Sequence, residues 1–528
     1  MEARIGVFVC SCGNSLNNID FAWLKRRVPR LSGVACTRFS TSLCLKDELA
    51  GMISTMSKKQ LDRVVIAGCS PQFKGHVFTN AMNAAGIDQE LVCWANLREQ
   101  CAFAHEGQVN EKALGLIKTA VKQASLRKPV KLSKVRVNQQ ALIVGGGFSG
   151  LTVATELSKL GIGSTLVEKE PGLGGRFKSL GILEPSLREA LDDLIAAASA
   201  DPNVRLVTSA KVTSIEGTAG KFSAEIAGVD GRRRSEFGAI VVASGREAGR
   251  ETEPGTTSVI AYQDPAIEKA LARFPRRIAF LTDESSELTR ASTLSVLSGA
   301  LAVRQKLGSE VYVLTKGLKV DSGGYDELYR DARQNGIVFV TFEEVPEVIT
   351  HDGHVSINMK DIYIREDIVL ECDLLIVNRK TSSQLASPAM GIKTDSSGLY
   401  QEVNPHLFLS LSERKGVFLA GSCRADIDMS RARLEATEAA MKVYELLKDK
   451  TVDVPVRVRV EEDKCRACLT CFRACPHNAI VMQDSSGKQK ASVSEFACDA
   501  CGVCAAVCPA KAIEYEGFTD EQILVGLS

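Results

Sequence analysis

The strongest constraint in this sequence is a cysteine spacing that it uses twice. Cys465, Cys468, Cys471 and Cys475 precede Pro476, and Cys498, Cys501, Cys504 and Cys508 precede Pro509, so both runs read C-x2-C-x2-C-x3-C-P. In such a run the three thiolates at two-residue intervals wrap one 4Fe–4S cube, and the fourth serves the other cube. The spacing therefore predicts one cluster on Cys465, Cys468, Cys471 and Cys508, and a second on Cys498, Cys501, Cys504 and Cys475. Two structural zinc sites would need four ligands each and would leave both C-P endings without a reason.

The segment resembles bacterial two-cluster ferredoxins over roughly residues 457–517, and it accounts for under half of the cysteines. The chain has 17 of them in 528 residues. Cys10, Cys12, Cys36, Cys44, Cys69, Cys93 and Cys101 lie near the start, and only Cys372 and Cys423 lie between the two groups. At ~100–200 residues per domain, the length allows three or four domains. A net charge of +1 argues against a general binder of nucleic acid or anionic lipid. No run approaches ~18 apolar residues, so no direct membrane insertion is expected. The N-terminal MEARIGVFVC reads at once as a strand rather than a signal peptide, so the expected location is cytoplasmic. Arg/Lys-rich GRRRSE, 231–236, reads as a solvated hairpin turn, and the six histidines are scattered.

Residues 141–150, ALIVGGGFSG, run from an apolar strand into Gly145, Gly147 and Gly150, with Phe148 and Ser149 opening a helix. A second strand follows and ends at Glu168-Lys169. Glycines there let backbone approach a pyrophosphate at the helix N-terminus, and the acid can bind ribose hydroxyls. This strand–helix–strand context makes the glycine spacing informative. The segment resembles two-dinucleotide-binding flavoproteins, which implies FAD. The resemblance is carried by Gly174-Gly175-Arg176, by AIVVASGRE with Ala243, Ser244 and Gly245, and by GVFLAGSC with Gly421. Their usual acid after that last glycine is replaced by Ser422, and Asp426 or Asp428 is expected to substitute. Cys423 is a thiol beside this strand. The matching second lobe starts RRIAFLTDESSELTRAS, with a strand but no glycine fingerprint. A retained fold with a lost nicotinamide site is expected.

At the N-terminus, IGVFVCSCGN, LDRVVIAGCSP and LREQCAF place Cys10, Cys12, Cys69 and Cys101 at or near strand ends, where open α/β sheets collect ligands. A third, unusually spaced 4Fe–4S cluster is expected there; the alternative is reduced cysteine serving as a small core residue. C-x-C-G, C-S-P, R-E-Q-C, VGGGFSG and GGYDELYRDARQNGIVF together resemble the A-type chain of heterodisulfide reductases. That resemblance spans nearly the whole sequence and implies cluster-associated roles for Cys10, Cys12, Cys44, Cys69 and Cys101, one more than four ligands require. It leaves Cys36 and Cys93 incidental. It also shows two departures: no cysteine-rich ferredoxin insert follows Gly175-Arg176, and the second-lobe stretch where the family tends to carry cysteine reads LTRASTLSVLSGALAVRQK here. The chain is similar to a shortened member of that family.

The expected architecture is α/β. A thioredoxin-reductase-like two-lobe, FAD-binding Rossmann-like core covers 138–455, its second lobe about 250–397. An N-terminal α/β iron–sulfur domain covers 1–130 and a C-terminal α+β two-cluster ferredoxin domain 456–528. The resemblance implies an oligomeric electron-transfer subunit working with partners of a heterodisulfide-reductase-like or class II benzoyl-CoA-reductase-like complex, or with ferredoxin. Electron bifurcation at the FAD belongs to the family's repertoire. The alternative is a free-standing FAD-dependent ferredoxin or disulfide/quinone oxidoreductase, which a C-x-x-C pair outside the ferredoxin segment would favour; none occurs.

Overall fold

The computed structural model describes residues 3–175, 178, 185–245, 259–261, 266–282, 289–321, 323–351, 353–377, 390–396, 398–485 and 487–525. Met1–Lys134, Asp453–Cys475 and Ile480–Ser528 form one unit, and Val135–Val452 with Pro476–Ala479 forms another. The modules expected at the two ends of the chain therefore share one body.

In the first unit, strand Ile5–Cys10 is buried along its whole length, as an inner strand of a parallel sheet must be. Val34–Ser40 pairs on one side, Arg63–Gly68 on the other, and Val92–Asn96 forms the edge, all in parallel. The chain steps from the first strand to one side and then crosses to the other. The change of direction falls between Ile5–Cys10 and Arg63–Gly68, the place where open α/β sheets bind ligands. Helices Lys46–Lys59 and Pro71–Ala84 cover one face through Met52, Met56, Phe78 and Met82. Helices Phe21–Arg27 and Asn110–Leu126 cover the other through Leu24, Ile117 and Val121.

The C-terminal module pairs Val458–Val460 with Ile513–Tyr515 and Ile480–Ser485 with Lys488–Val493. Short helices Thr470–Ala474 and Val503–Ala506 lie between them in the chain. Arg457 forms an ion pair with Glu90, and Gln522 Nε2 donates to Leu126 O at 3.2 Å. Glu90 stands just ahead of strand Val92–Asn96. The C-terminal module thus meets the amino edge of the sheet, while Cys10 and Cys69 mark its carboxyl edge. A five-residue strand separates the two edges by ~17 Å.

The second unit has a seven-stranded sheet in the order Glu402–Asn404, Phe408–Ser412, Val417–Leu419, Ala239–Val242, Gln140–Val144, Gly163–Val167, Val204–Val207. The last five run parallel. Lys211–Thr218, Lys221–Gly228 and Gly231–Phe237 make an antiparallel sheet of their own. GRRRSE is therefore a strand rather than the expected turn. Its arginines stay in solvent, and Arg232 and Arg234 pair across the sheet with Glu225 and Glu216, so an edge strand tolerates the charge.

A second lobe in the same unit has five parallel strands in the order Val259–Ala261, Leu374–Val377, Arg277–Leu281, Glu310–Thr315, Val338–Thr341. Helices Arg290–Leu307 and Tyr325–Gln334 cover one face through Leu297, Leu301 and Ala332. The antiparallel strands Glu347–His351, His354–Lys360 and Asp367–Cys372 cover the other, with Cys372 in that core. Among the described residues no helix is long and apolar enough to cross a membrane.

One buried ion pair ties the flavin-type sheet to its last helix. Arg424 Nε donates to Glu435 at 3.1 Å and Nη2 donates to the same carboxylate; Nη1 reaches Glu402 at 3.5 Å. Removing one member strands a buried charge, whereas apolar replacement of both does not. Glu435→Gln is expected to cost about 3 kcal/mol of stability. Arg424→Met with Glu435→Leu is expected to recover most of that loss, read as the denaturation midpoint.

Candidate flavin and iron–sulfur sites

The N-terminal thiols meet at the carboxyl edge of their sheet as a chain. Cys12 follows the first strand in a left-handed conformation, φ 51°, which turns its side chain back between Cys10 and Cys69. Its thiol hydrogen-bonds the sulfurs on either side, and this is the main reason that Cys10 falls to about 6 and Cys69 to about 7. The same bonds, reinforced by burial, push Cys12 up. Cys10 Sγ also accepts from Cys12 N at 3.3 Å and Leu43 N at 3.4 Å. Cys44, next to Leu43, is half-buried against the same core as Cys10. A positively charged neighbour, Arg98, further favours the Cys69 thiolate; nothing in its sequence context beyond the R-E-Q-C match marks it.

Cys101 behaves differently. It is fully buried in the core on the opposite face, its Sγ donates to Val109 O at 3.8 Å, and burial pushes its thiol up. Cys93 lies in that core too, while Cys36 packs with the Cys10 side. The structure therefore brings Cys10, Cys12 and Cys69 together with Cys44 adjacent, and buries Cys101 in the core of the opposite face, against which Cys12 also packs.

The eight C-terminal thiols form two crossed groups. Cys465, Cys468, Cys471 and Cys508 line one pocket, walled by Val460, Met482 and Ile513. Cys504 shares its surroundings with Cys498, Cys475 and Cys501, whose negative charges, after burial, push its thiol up to about 11. Each group takes its fourth member from the other run. The backbone repeats as well: Ala467, Leu469 and Asn478 have φ of 53°, 63° and 51°, matched by Ala500, Gly502 and Lys511 at 51°, 80° and 46°. Non-glycine residues in this region are costly and persist where a site over-determines them. Ala500 N donates to Cys498 Sγ at 3.4 Å and Ala512 N to Cys508 Sγ at 3.3 Å. This donor set fits two 4Fe–4S clusters. Among the described residues, no group of His, Cys, Asp or Glu closes around a single metal ion.

The dinucleotide cradle is built by close backbone approach. A Cβ on Gly150 would stand 1.9 Å from Gly145 O, so the helix Phe148–Lys159 can start this near its strand only with glycine there. A Cβ on Gly421 would stand 2.2 Å from Ser149 Oγ, which brings the late strand Val417–Leu419 onto the same turn. Gly174 N donates to Gly146 O at 2.8 Å and holds Gly174-Gly175 alongside Gly147. Ala243 N donates to Val144 O at 2.8 Å, with Ser244 and Gly245 following. Glu168 is buried and its carboxylate accepts from Gly146 N at 2.6 Å and Glu170 N at 2.9 Å, while Lys169 is exposed. Glycines of these four segments meet at a helix N-terminus, a fit for the pyrophosphate of FAD. Arg176 lies outside the described residues.

Asp428 caps the helix Met429–Leu447, accepting from Arg431 N at 2.9 Å, and Asp426 accepts from Arg290 N in the second lobe. Both carboxylates therefore accept from backbone N–H at helix starts. Cys423 is fully buried and donates to Val242 O at 3.3 Å; burial pushes its thiol up to about 12, which marks a structural residue.

Comparisons with known proteins agree with this geometry. A family model described as a 4Fe-4S dicluster domain matches residues 464–512, and one described as pyridine nucleotide-disulphide oxidoreductase matches residues 104–267. The A-type iron-sulfur chain of the CoB--CoM heterodisulfide reductase of Methanocaldococcus jannaschii is 26% identical over 644 residues, covering 99% of this chain and 98% of that protein. The A-type chain of the H(2):CoB-CoM heterodisulfide,ferredoxin reductase of Methanothermobacter thermautotrophicus is 24% identical over 602 residues, covering 92% and 91%. An alignment of 644 residues against a chain of 528 means that the relative carries segments absent here. Among solved structures, thioredoxin reductases of T. acidophilum and Lactococcus lactis cover 58% of this chain at 14% and 18% identity, each with a TM-score of 0.42. The chain is a flavin- and iron–sulfur-dependent oxidoreductase. It is a protein like the A-type chain of heterodisulfide reductases, in a shortened form.

Proposed function

We propose that this chain relays electrons between partner subunits of a heterodisulfide-reductase-like assembly, through one FAD and three 4Fe–4S clusters. The observation that carries the reading is the pairing of two crossed thiol groups and a third thiol site with a dinucleotide cradle that has no redox-active thiol beside it among the described residues. Disulfide chemistry at this flavin would need an exposed thiol pair, and Cys423 is single and buried. FAD, when bound, exchanges two-electron for one-electron transfer, which suits it to a position among one-electron carriers and to bifurcation.

In this reading Cys465, Cys468, Cys471 and Cys508 hold one cluster, and Cys498, Cys501, Cys504 and Cys475 the second. Cys10, Cys12, Cys44 and Cys69 hold the third, with Cys101 a packing residue behind it. Gly145, Gly147, Phe148, Ser149, Gly150, Glu168, Lys169, Gly175, Arg176, Ala243, Ser244, Gly245 and Gly421 line the FAD. The assembly works in the cytoplasm, and its other subunits, or a ferredoxin, dock near the clusters.

Anaerobic purification is expected to give about twelve irons and a single FAD per chain, four irons for each cluster. Cys69→Ser should lower the iron to about eight, whereas Cys101→Ser should leave it near twelve. Equal losses in the two variants would place Cys101 among the ligands. Gly150→Ala, which drives a methyl into Gly145 O, should abolish FAD retention while leaving the iron count unchanged, measured by flavin absorbance after denaturation.

A further inference from the structure

Each C-terminal cysteine run begins in a loop that a side chain from a strand of the same module braces, and the two braces differ in charge. In the first run the brace is Lys490, on strand Lys488–Val493. Its Nζ donates to Cys465 O at 2.8 Å and to Glu462 O at 2.6 Å. Both acceptors are backbone carbonyls, and Lys490 makes no ion pair among the described residues. In the second run the brace is Tyr515, on strand Ile513–Tyr515, whose hydroxyl donates to Ala500 O. Burial pushes that phenol up, so it stays neutral. One loop is thus held by a full positive charge and the other by none.

The repeat differs in the same sense at a second point. Arg466 follows the first cysteine of its run, and Asp499 follows the first cysteine of the other. Arg466 lines the pocket formed with Cys465, Cys468, Cys471 and Cys508. Acids ahead of the first run leave the charge of Lys490 in place. Glu461 is paired with Lys464 at 2.7 Å, and the Glu462 carboxylate accepts from Ser485 Oγ. Arg466, Asp499 and Asp463 are exposed, where water and salt screen them. Lys490 is half-buried and fixed by its two hydrogen bonds, so it carries most of the difference. Backbone N–H reaches a sulfur in both groups, at Cys508 and at Cys498, so that contact is common to them.

We propose that Lys490 sets the order of reduction potentials in the C-terminal module: its ammonium holds the cluster on Cys465, Cys468, Cys471 and Cys508 above the cluster on Cys498, Cys501, Cys504 and Cys475. Reduction adds one negative charge to a cluster, and a fixed positive charge nearby favours the reduced form. An electron exchanged between the two therefore moves downhill from the second to the first. One cluster is oxidised as the other is reduced, and no bond forms or breaks. The inference rests on the relay reading, in which both thiol groups hold 4Fe–4S clusters, and gives that relay a direction.

The test is a redox titration of the anaerobically purified full chain, followed by electron paramagnetic resonance. A Cys69→Ser background keeps signals of the N-terminal site from overlapping. Two midpoints are expected. Lys490→Gln should lower the upper one: at the original midpoint the reduced-to-oxidised ratio should fall about tenfold, a shift of about 59 mV for one electron. Lys490→Arg keeps the charge and should leave both midpoints in place. Arg466→Gln removes a side chain that makes no hydrogen bond among the described residues. It should lower the same midpoint by less, and it decides the matter if the Lys490 variants lose iron. Asp499→Asn should raise the lower midpoint. Two equal midpoints, a response of the lower midpoint to Lys490→Gln, or an equal shift in Lys490→Arg would overturn the proposal. Iron counts on the same samples separate the two readings. Clearly fewer than about eight irons in the Cys69→Ser chain refute the pair of C-terminal clusters. About eight irons with midpoints indifferent to Lys490 and Arg466 refute only the role of Lys490.

Discussion

Backbone N–H groups at a helix start have no partner within the helix, and parallel strands line such starts up along one edge of a sheet. The described residues hold three sheets built on parallel strands and therefore three such edges. Each is completed by something different. Thiols gather at the first, where Cys12 bridges Cys10 and Cys69. Glycines keep the second open, with Gly150 and Gly421 allowing backbone to approach within distances that no methyl group would permit. At the third, Asp426 reaches in from the neighbouring lobe and satisfies the donors itself. The same local physics thus yields a thiol-lined edge, an edge open to a nucleotide and a closed one.

The C-terminal module obeys a different constraint. Its strands and its three described helices are short, and the thiol groups themselves occupy much of its interior. Because each group borrows its fourth member from the other run, neither half is complete alone. The left-handed residues at matched positions of the two runs mark a backbone bent to present sulfur inward.

How much of the fold and the sites is legible in the sequence follows from the range of each interaction. Thiol grouping at the C-terminus is legible because it is a matter of spacing over a few residues, and the first glycine turn is legible for the same reason. At the N-terminus strand ends are visible, but which thiols share a face depends on the order of strands. Cys101 sits only a few residues beyond its strand yet turns into the opposite core. A substitute for the acid missing after Gly421 is not legible, because caps and ion pairs decide where a carboxylate goes. Asp428 serves its own helix, and Asp426 answers Arg290, which lies 136 residues away in sequence. Charge alone suggests a turn for GRRRSE, although alternating partners across a sheet settle it as a strand.

The seating of the C-terminal module on the amino edge of the first sheet has a consequence for synthesis. The flavin unit lies in the chain between two parts of the iron–sulfur unit, so it emerges from the ribosome nearly whole while its neighbour is still half made. The first 134 residues must wait, with Glu90 and the Leu126 carbonyl lacking their C-terminal partners, until Arg457 and Gln522 have been translated. Domains fold as units during synthesis. The Cys10–Cys12–Cys69 thiol site is therefore made on a body that stays incomplete until its C-terminal part has been translated.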